Sequence, residues 1–93
     1  MTAGIGYSRR AVAEVQEILA FLAEYSPPAA DRFSEAMGRA EQQLSQFPNS
    51  GAPGLRPGTR RLIVGDYIVS YRRREAGVEI FAVRHASRRD ARL

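Results

Sequence analysis

Arg60-Arg61-Leu62-Ile63-Val64-Gly65-Asp66-Tyr67-Ile68-Val69-Ser70-Tyr71-Arg72 is the stretch on which the architecture turns. Two runs rich in β-branched and aromatic residues flank a Gly-Asp pair. A two-residue connection of this kind makes a tight β-hairpin, because glycine supplies the positive φ that the strand twist demands. The turn fixes a register in which Val64 pairs with Tyr67, Leu62 with Val69 and Arg60 with Tyr71 on one face. Ile63 and Ile68 share the other face with Arg61 and Ser70. Both faces carry apolar residues, so the pattern leaves open which one turns to the core.

Downstream, Ala76-Gly77 makes a second turn and Val78 to His85 reads as a third strand, rich in Val, Ile and Phe. Upstream, Ala52 to Gly58 is a Pro/Gly loop, and before it the period changes to that of a helix. Phe33, Met37, Ala40, Leu44 and Phe47 recur at three- and four-residue steps, as do Val12, Val15, Ile18, Leu19 and Leu22. Glu14, Glu17 and Glu24 fall largely off the first stripe. Ser8 stands where it can cap the first helix, and Ser26-Pro27-Pro28 ends that helix and opens the second. So short a turn makes the two helices an antiparallel hairpin. Gly4 to Tyr7 is a candidate edge strand. The expected order is β-α-α-β-β-β: an α+β fold with a helix hairpin packed on a small antiparallel sheet.

At 93 residues the chain is expected to form a single domain over 1–93, closed by a polar, Arg-rich tail at 86–93. There is no cysteine, hence no disulfide or thiolate metal site. No apolar run approaches the roughly 18 residues needed to span a bilayer, and no signal peptide opens the chain. A cytoplasmic protein without membrane contact is the expectation.

The formal net charge of +4 is unevenly distributed. Residues 1–55 hold four Arg and six acidic residues, a balance of −2, whereas 56–93 hold ten Arg and four acidic residues, a balance of +6. Every basic residue is Arg, as a GC-rich genome alone would produce. Arg60 and Arg61 begin the hairpin, Arg72, Arg73 and Arg74 end it, and Arg84, Arg88 and Arg89 lie near the C-terminus. Antiparallel pairing brings the first two groups to one end of the sheet. A target or anion-binding surface is one reading; a charged edge that discourages strand pairing is the other. Tyr67 and Tyr71 alternate along one strand, which suits core packing with the hydroxyls at the rim. His85 is the lone histidine, either a hydrogen-bonded structural residue or a proton carrier. A triad with Ser87 and Asp90 would require sequence neighbours to converge in space. Neither a metal cluster nor a phosphate-binding Gly-rich loop is present, and no cofactor or small-molecule substrate is expected.

Three blocks taken together resemble the ParE-like branch of the RelE/ParE toxin superfamily, also called plasmid-stabilisation proteins. They are Tyr7-Ser8-Arg9-Arg10-Ala11 leading to Phe47-Pro48, Arg61 to Arg72, and Val83-Arg84-His85-Ala86-Ser87-Arg88-Arg89-Asp90. The resemblance covers nearly the whole chain. It implies the toxin of a type II toxin–antitoxin system, neutralised by a cognate ParD-like antitoxin and arresting growth by binding DNA gyrase, without catalysis. RelE-type members instead cut mRNA on the ribosome. In that alternative Arg61, Arg73, Arg84 and His85 would be the catalytic residues of a ribonuclease. The sequence departs from the RelE pattern: Ile68 stands where an Arg is expected, Ala86 replaces a basic residue, and the tail has no Tyr. A non-toxic basic RNA-binding module is the remaining alternative, although the C-terminal helix of double-stranded RNA binders is missing. The antitoxin-binding residues stay unassigned, with apolar positions of the helix hairpin and strands as the expected surface. Arg88 and Arg89 are expected to serve target contact rather than the fold, the tail contributing little core.

Overall fold

A computed structural model describes residues 3–88 and 91. Its elements are β1 (Gly4–Tyr7), α1 (Arg9–Tyr25), α2 (Pro27–Gln46), β2 (Ala52–Pro53), β3 (Thr59–Val64), β4 (Tyr67–Arg74) and β5 (Gly77–His85). The strands form one sheet in the order β1-β5-β4-β3-β2, with the helix hairpin on one face. This is the α+β arrangement expected, with two additions. The sheet is mixed, because β1 runs parallel to β5, and the Pro/Gly loop contributes β2, which is only Ala52–Pro53 against Arg60 and Arg61. Strand direction at an edge formed with a partner some 70 residues away leaves no mark on local periodicity.

The central hairpin has the register read from the sequence, from Val64↔Tyr67 to Arg60↔Tyr71. Gly65 has φ +60 and, among the described residues, no non-glycine residue has positive φ, which is the pattern of a type II′ turn. Val64, Val69 and Tyr71 face the helices together with Val78, Ile80 and Val83 of β5. Their helix partners are Ala11, Phe33, Met37, Ala40 and Leu44. The opposite face is buried at its centre too, since Ile68, Ser70 and Ala82 are at most 1% exposed, whereas Ile63 at the margin is open. A bulge in β5 at Phe81 shifts the β4–β5 pairing between Ser70↔Ala82 and Tyr71↔Ile80.

Both helices begin as their caps require. The Ser8 hydroxyl accepts from Ala11 N at 3.1 Å, and that of Ser26 accepts from Ala29 N ahead of the Pro27-Pro28 first turn. Two apolar positions of the stripes escape burial. α2 stops at Gln46, so Phe47 becomes its capping residue and is 63% exposed, and Val12 lies on the rim at 42%. At Gly77 a side chain would collide with β1: a Cβ there would lie 2.1 Å from Gly4 O. The tail also differs from expectation, for Ala91 is buried and so adds to the packed interior.

Candidate anion-binding site

β1 pairs with β5 only as far as Ile80. There the chain leaves the sheet for α1, and Ser8 marks the departure: its N–H donates to Ile80 O at 2.9 Å and its hydroxyl to Phe81 O. α1 then continues along the edge of β5 that β1 has vacated. Glu14 takes over the strand's role, with Oε1 accepting from Val83 N and Oε2 from Arg84 Nε, both at 3.0 Å. Arg84 can therefore be charged while only 2% exposed. From the sequence, Glu14 falls largely off the apolar stripe of α1. Its spacing from Ala11 and Ile18, three and four residues, is the signal that places it on the buried face.

Cross-strand pairing carries Arg84, Arg72 and Arg61 onto the face opposite the helices. Arg72 Nε donates to Glu79 at 3.1 Å, and its guanidinium lies 4.6 Å over the Phe81 ring. Arg74 reaches the same Glu79 at 2.9 Å. A cleft of about 420 Å³ opens beside them, bounded by Arg10, Arg56, Arg72 and Arg84 with Ser8, Thr59 and Phe81. Arg56 is held there by a tight turn, its carbonyl accepting from the Thr59 hydroxyl at 2.7 Å and from Thr59 N. Arg10 and Arg56 were not anticipated as part of the site. They lie outside the dense runs of Arg, and only the departure of α1 and the Arg56–Thr59 turn bring them to the sheet.

The other candidates are dispersed. Arg60 points to the helix side, where its guanidinium donates to Gly51 O at 2.8 Å; the buried Tyr71 hydroxyl accepts from Gly51 N in the same place. Arg61 is half-buried opposite Ser70. Arg73 is exposed at the far end of β4, paired with Val78. Arg88 lines a second cleft with Glu17, Phe21, Tyr67, Arg84 and His85. Arg89 and Asp90 lie outside the described residues.

His85 is exposed at the end of β5, edge-on to Tyr67 with centroids 5.4 Å apart. Ser87 N donates to its Nδ1 at 3.1 Å, so the neutral ring carries its proton on Nε2. Burial, then the charge of Asp66, holds the Tyr67 hydroxyl in its protonated form above the ordinary tyrosine range. Tyr7 is raised more strongly, first by burial and then by Glu41, to which its hydroxyl donates at 2.5 Å. Among the described residues no group of three or more His, Cys, Asp or Glu could hold a metal ion.

Known proteins share this architecture. Residues 5–90 match the family described as ParE toxin of type II toxin-antitoxin system, parDE. "Putative toxin Y4kP" of Sinorhizobium fredii is 38% identical over 84 residues, covering 88% of this chain and 86% of that protein. Toxin RelE2 of Caulobacter vibrioides is 27% identical over 86 residues, covering 92% and 98%. A solved structure of the chromosomal ParDE TA system from P. aeruginosa superimposes with a TM-score of 0.76 at 20% identity, covering 90% of this chain and 96% of that one. The chain therefore belongs to the ParE toxin family of type II toxin–antitoxin systems.

Proposed function

We propose that the protein arrests growth by binding DNA gyrase in the cytoplasm, without catalysis, and that a ParD-like antitoxin neutralises it. The supporting observation is the separation of the residues that an mRNA-cutting relative would need together. His85 pairs with Tyr67 at one end of β4, and Arg73 stands six residues further along the same strand, about 20 Å away at the usual rise. A base, an acid and a phosphate clamp must converge on one bond to cut RNA, so these two cannot act on the same phosphate. Exposed apolar side chains fit a protein partner: Phe21 and Tyr25 are in ring contact at 4.8 Å on one side of α1, and Val12 is exposed on the opposite side. Val12 borders a cleft between the helices that is also lined by Val15, Leu19, Phe33 and Met37. No helix among the described residues is long and apolar enough to cross a membrane.

The test is gyrase supercoiling with purified toxin, with and without antitoxin, beside primer extension on translated mRNA. Inhibited supercoiling, relieved by the antitoxin, with intact mRNA is expected. Replacing Arg88 and Arg89 by Ala is expected to weaken inhibition while antitoxin affinity holds. Codon-specific mRNA cuts with unimpaired supercoiling would replace this reading with the ribonuclease one.

A further inference from the structure

We infer that the cleft between Arg10, Arg56, Arg72 and Arg84 binds a phosphate group, whichever target the toxin has. The four arginines come from α1, the loop before β3, β4 and β5, and they line one cleft, Arg84 from its buried floor. Arg84 is 2% exposed and already fixed by Glu14, so little side-chain freedom remains to be lost on binding. Arg72 is likewise held between Glu79 and Phe81. Among the described residues, Arg10 and Arg84 meet Glu14, and Arg72 and Arg74 meet Glu79, so each of these carboxylates faces two guanidiniums. The first turn of α1, which opens beside the cleft, has two Arg and no acidic residue, although a helix N-terminus favours negative charge. Clustered like charge works against the fold, and a bound dianion relieves it. Planar guanidinium forks arriving from several directions suit the oxygens of a tetrahedral phosphate better than a flat carboxylate. At about 420 Å³ the cleft exceeds a bare phosphate, leaving room for the ester that carries it.

Inorganic phosphate, AMP and a short DNA duplex are the probes, titrated into the isotopically labelled full chain at constant ionic strength and followed by amide NMR. Saturable shifts at Ser8, Arg10, Thr59 and Phe81 are expected with phosphate, while Arg73 stays still. The exposed pair Arg10→Gln and Arg56→Gln avoids disturbing the buried Arg84. That double variant is expected to keep its melting temperature in chloride and to bind phosphate at least about tenfold more weakly. Shifts of the same amides by DNA, with a salt slope reduced in the variant, would identify a nucleic-acid backbone as the source; shifts by AMP alone would identify a free phosphate ester. The inference fails if phosphate shifts every Arg-bearing segment alike, if the variant binds as well as the parent, or if glutamate saturates the cleft more tightly than phosphate.

Discussion

Glu14→Ala removes a side chain that joins α1 to the edge of β5 through both the backbone and a buried charge. The substitution takes away the acceptor of Val83 N and the Glu14 contact of the buried Arg84 guanidinium. Removing one partner of a buried ion pair costs up to about 3–5 kcal/mol, and Arg84 keeps a further interaction that lessens the loss. An orphaned buried N–H adds up to about 1–3 kcal/mol where water cannot reach it. The Glu14 side chain is 14% exposed, so some water does reach the pair, and about 3–5 kcal/mol in total is the reasonable figure. A domain of this size has roughly 5–14 kcal/mol of stability, so the variant should approach the threshold of unfolding. At about 4–8 °C per kcal/mol the melting temperature should fall by more than 10 °C. Glu14→Gln keeps an acceptor for Val83 N and should lose less. The double replacement Glu14→Leu with Arg84→Met should recover most of the loss, since apolar pairs often substitute for buried ion pairs without cost. Urea unfolding of the parent and these three variants measures the losses. A loss below about 1 kcal/mol in Glu14→Ala, or Leu/Met no better than Ala, would refute the assignment of Glu14 to this edge.

Three further substitutions test other parts of the fold. The Tyr7 hydroxyl ionises well above its ordinary value of 10.0 in the folded state, through burial and then Glu41; its protonated form therefore stabilises fully below pH 10 and the contribution is lost as the pH rises above that. Tyr7→Phe should lose stability less steeply between about pH 10 and 11.5, and equal alkaline slopes for both proteins would contradict this. Gly77→Ala should cost about 1–3 kcal/mol by pushing β1 away, with β1 amides losing hydrogen-exchange protection. Gly38→Ala meets nothing within 4 Å in mid-helix and should instead stabilise by about 0.5–1 kcal/mol.

The parts of the molecule legible in sequence are those governed by local rules. Gly65-Asp66 specified a turn, the turn specified the register, and the register placed Leu62, Val69 and Tyr71 correctly relative to one another. Ser8 and Ser26 announced the helix starts for the same reason. The site was legible only in outline, since guanidinium density found Arg72 and Arg84 but also Arg60, which holds a loop carbonyl. Nothing local distinguishes an Arg that faces an open cleft from one turned toward Gly51. Arg10 and Arg56 join the cleft through the path of the backbone in three dimensions, and Glu14 earns its place only once β1 ends short of Val83. Long-range edges are where reading residue by residue runs out.

The pairing of the first strand with the last has a consequence for synthesis on the ribosome. Glu14 and Arg84 are 70 residues apart in the chain. At the usual pace of about 5–20 residues per second, their meeting is delayed by roughly 4–14 s after Glu14 is made. Until β5 is made, the helix hairpin lacks the complete sheet on which to lay Phe33, Met37 and Leu44, and β1 has no strand to pair with. The toxin therefore cannot mature piecemeal: any product cut short before β5 lacks both the parallel edge and the buried charge pair. The cell thus has a window between translation and maturation in which a neutralising partner can meet the nascent hairpin before the finished toxin can meet its target.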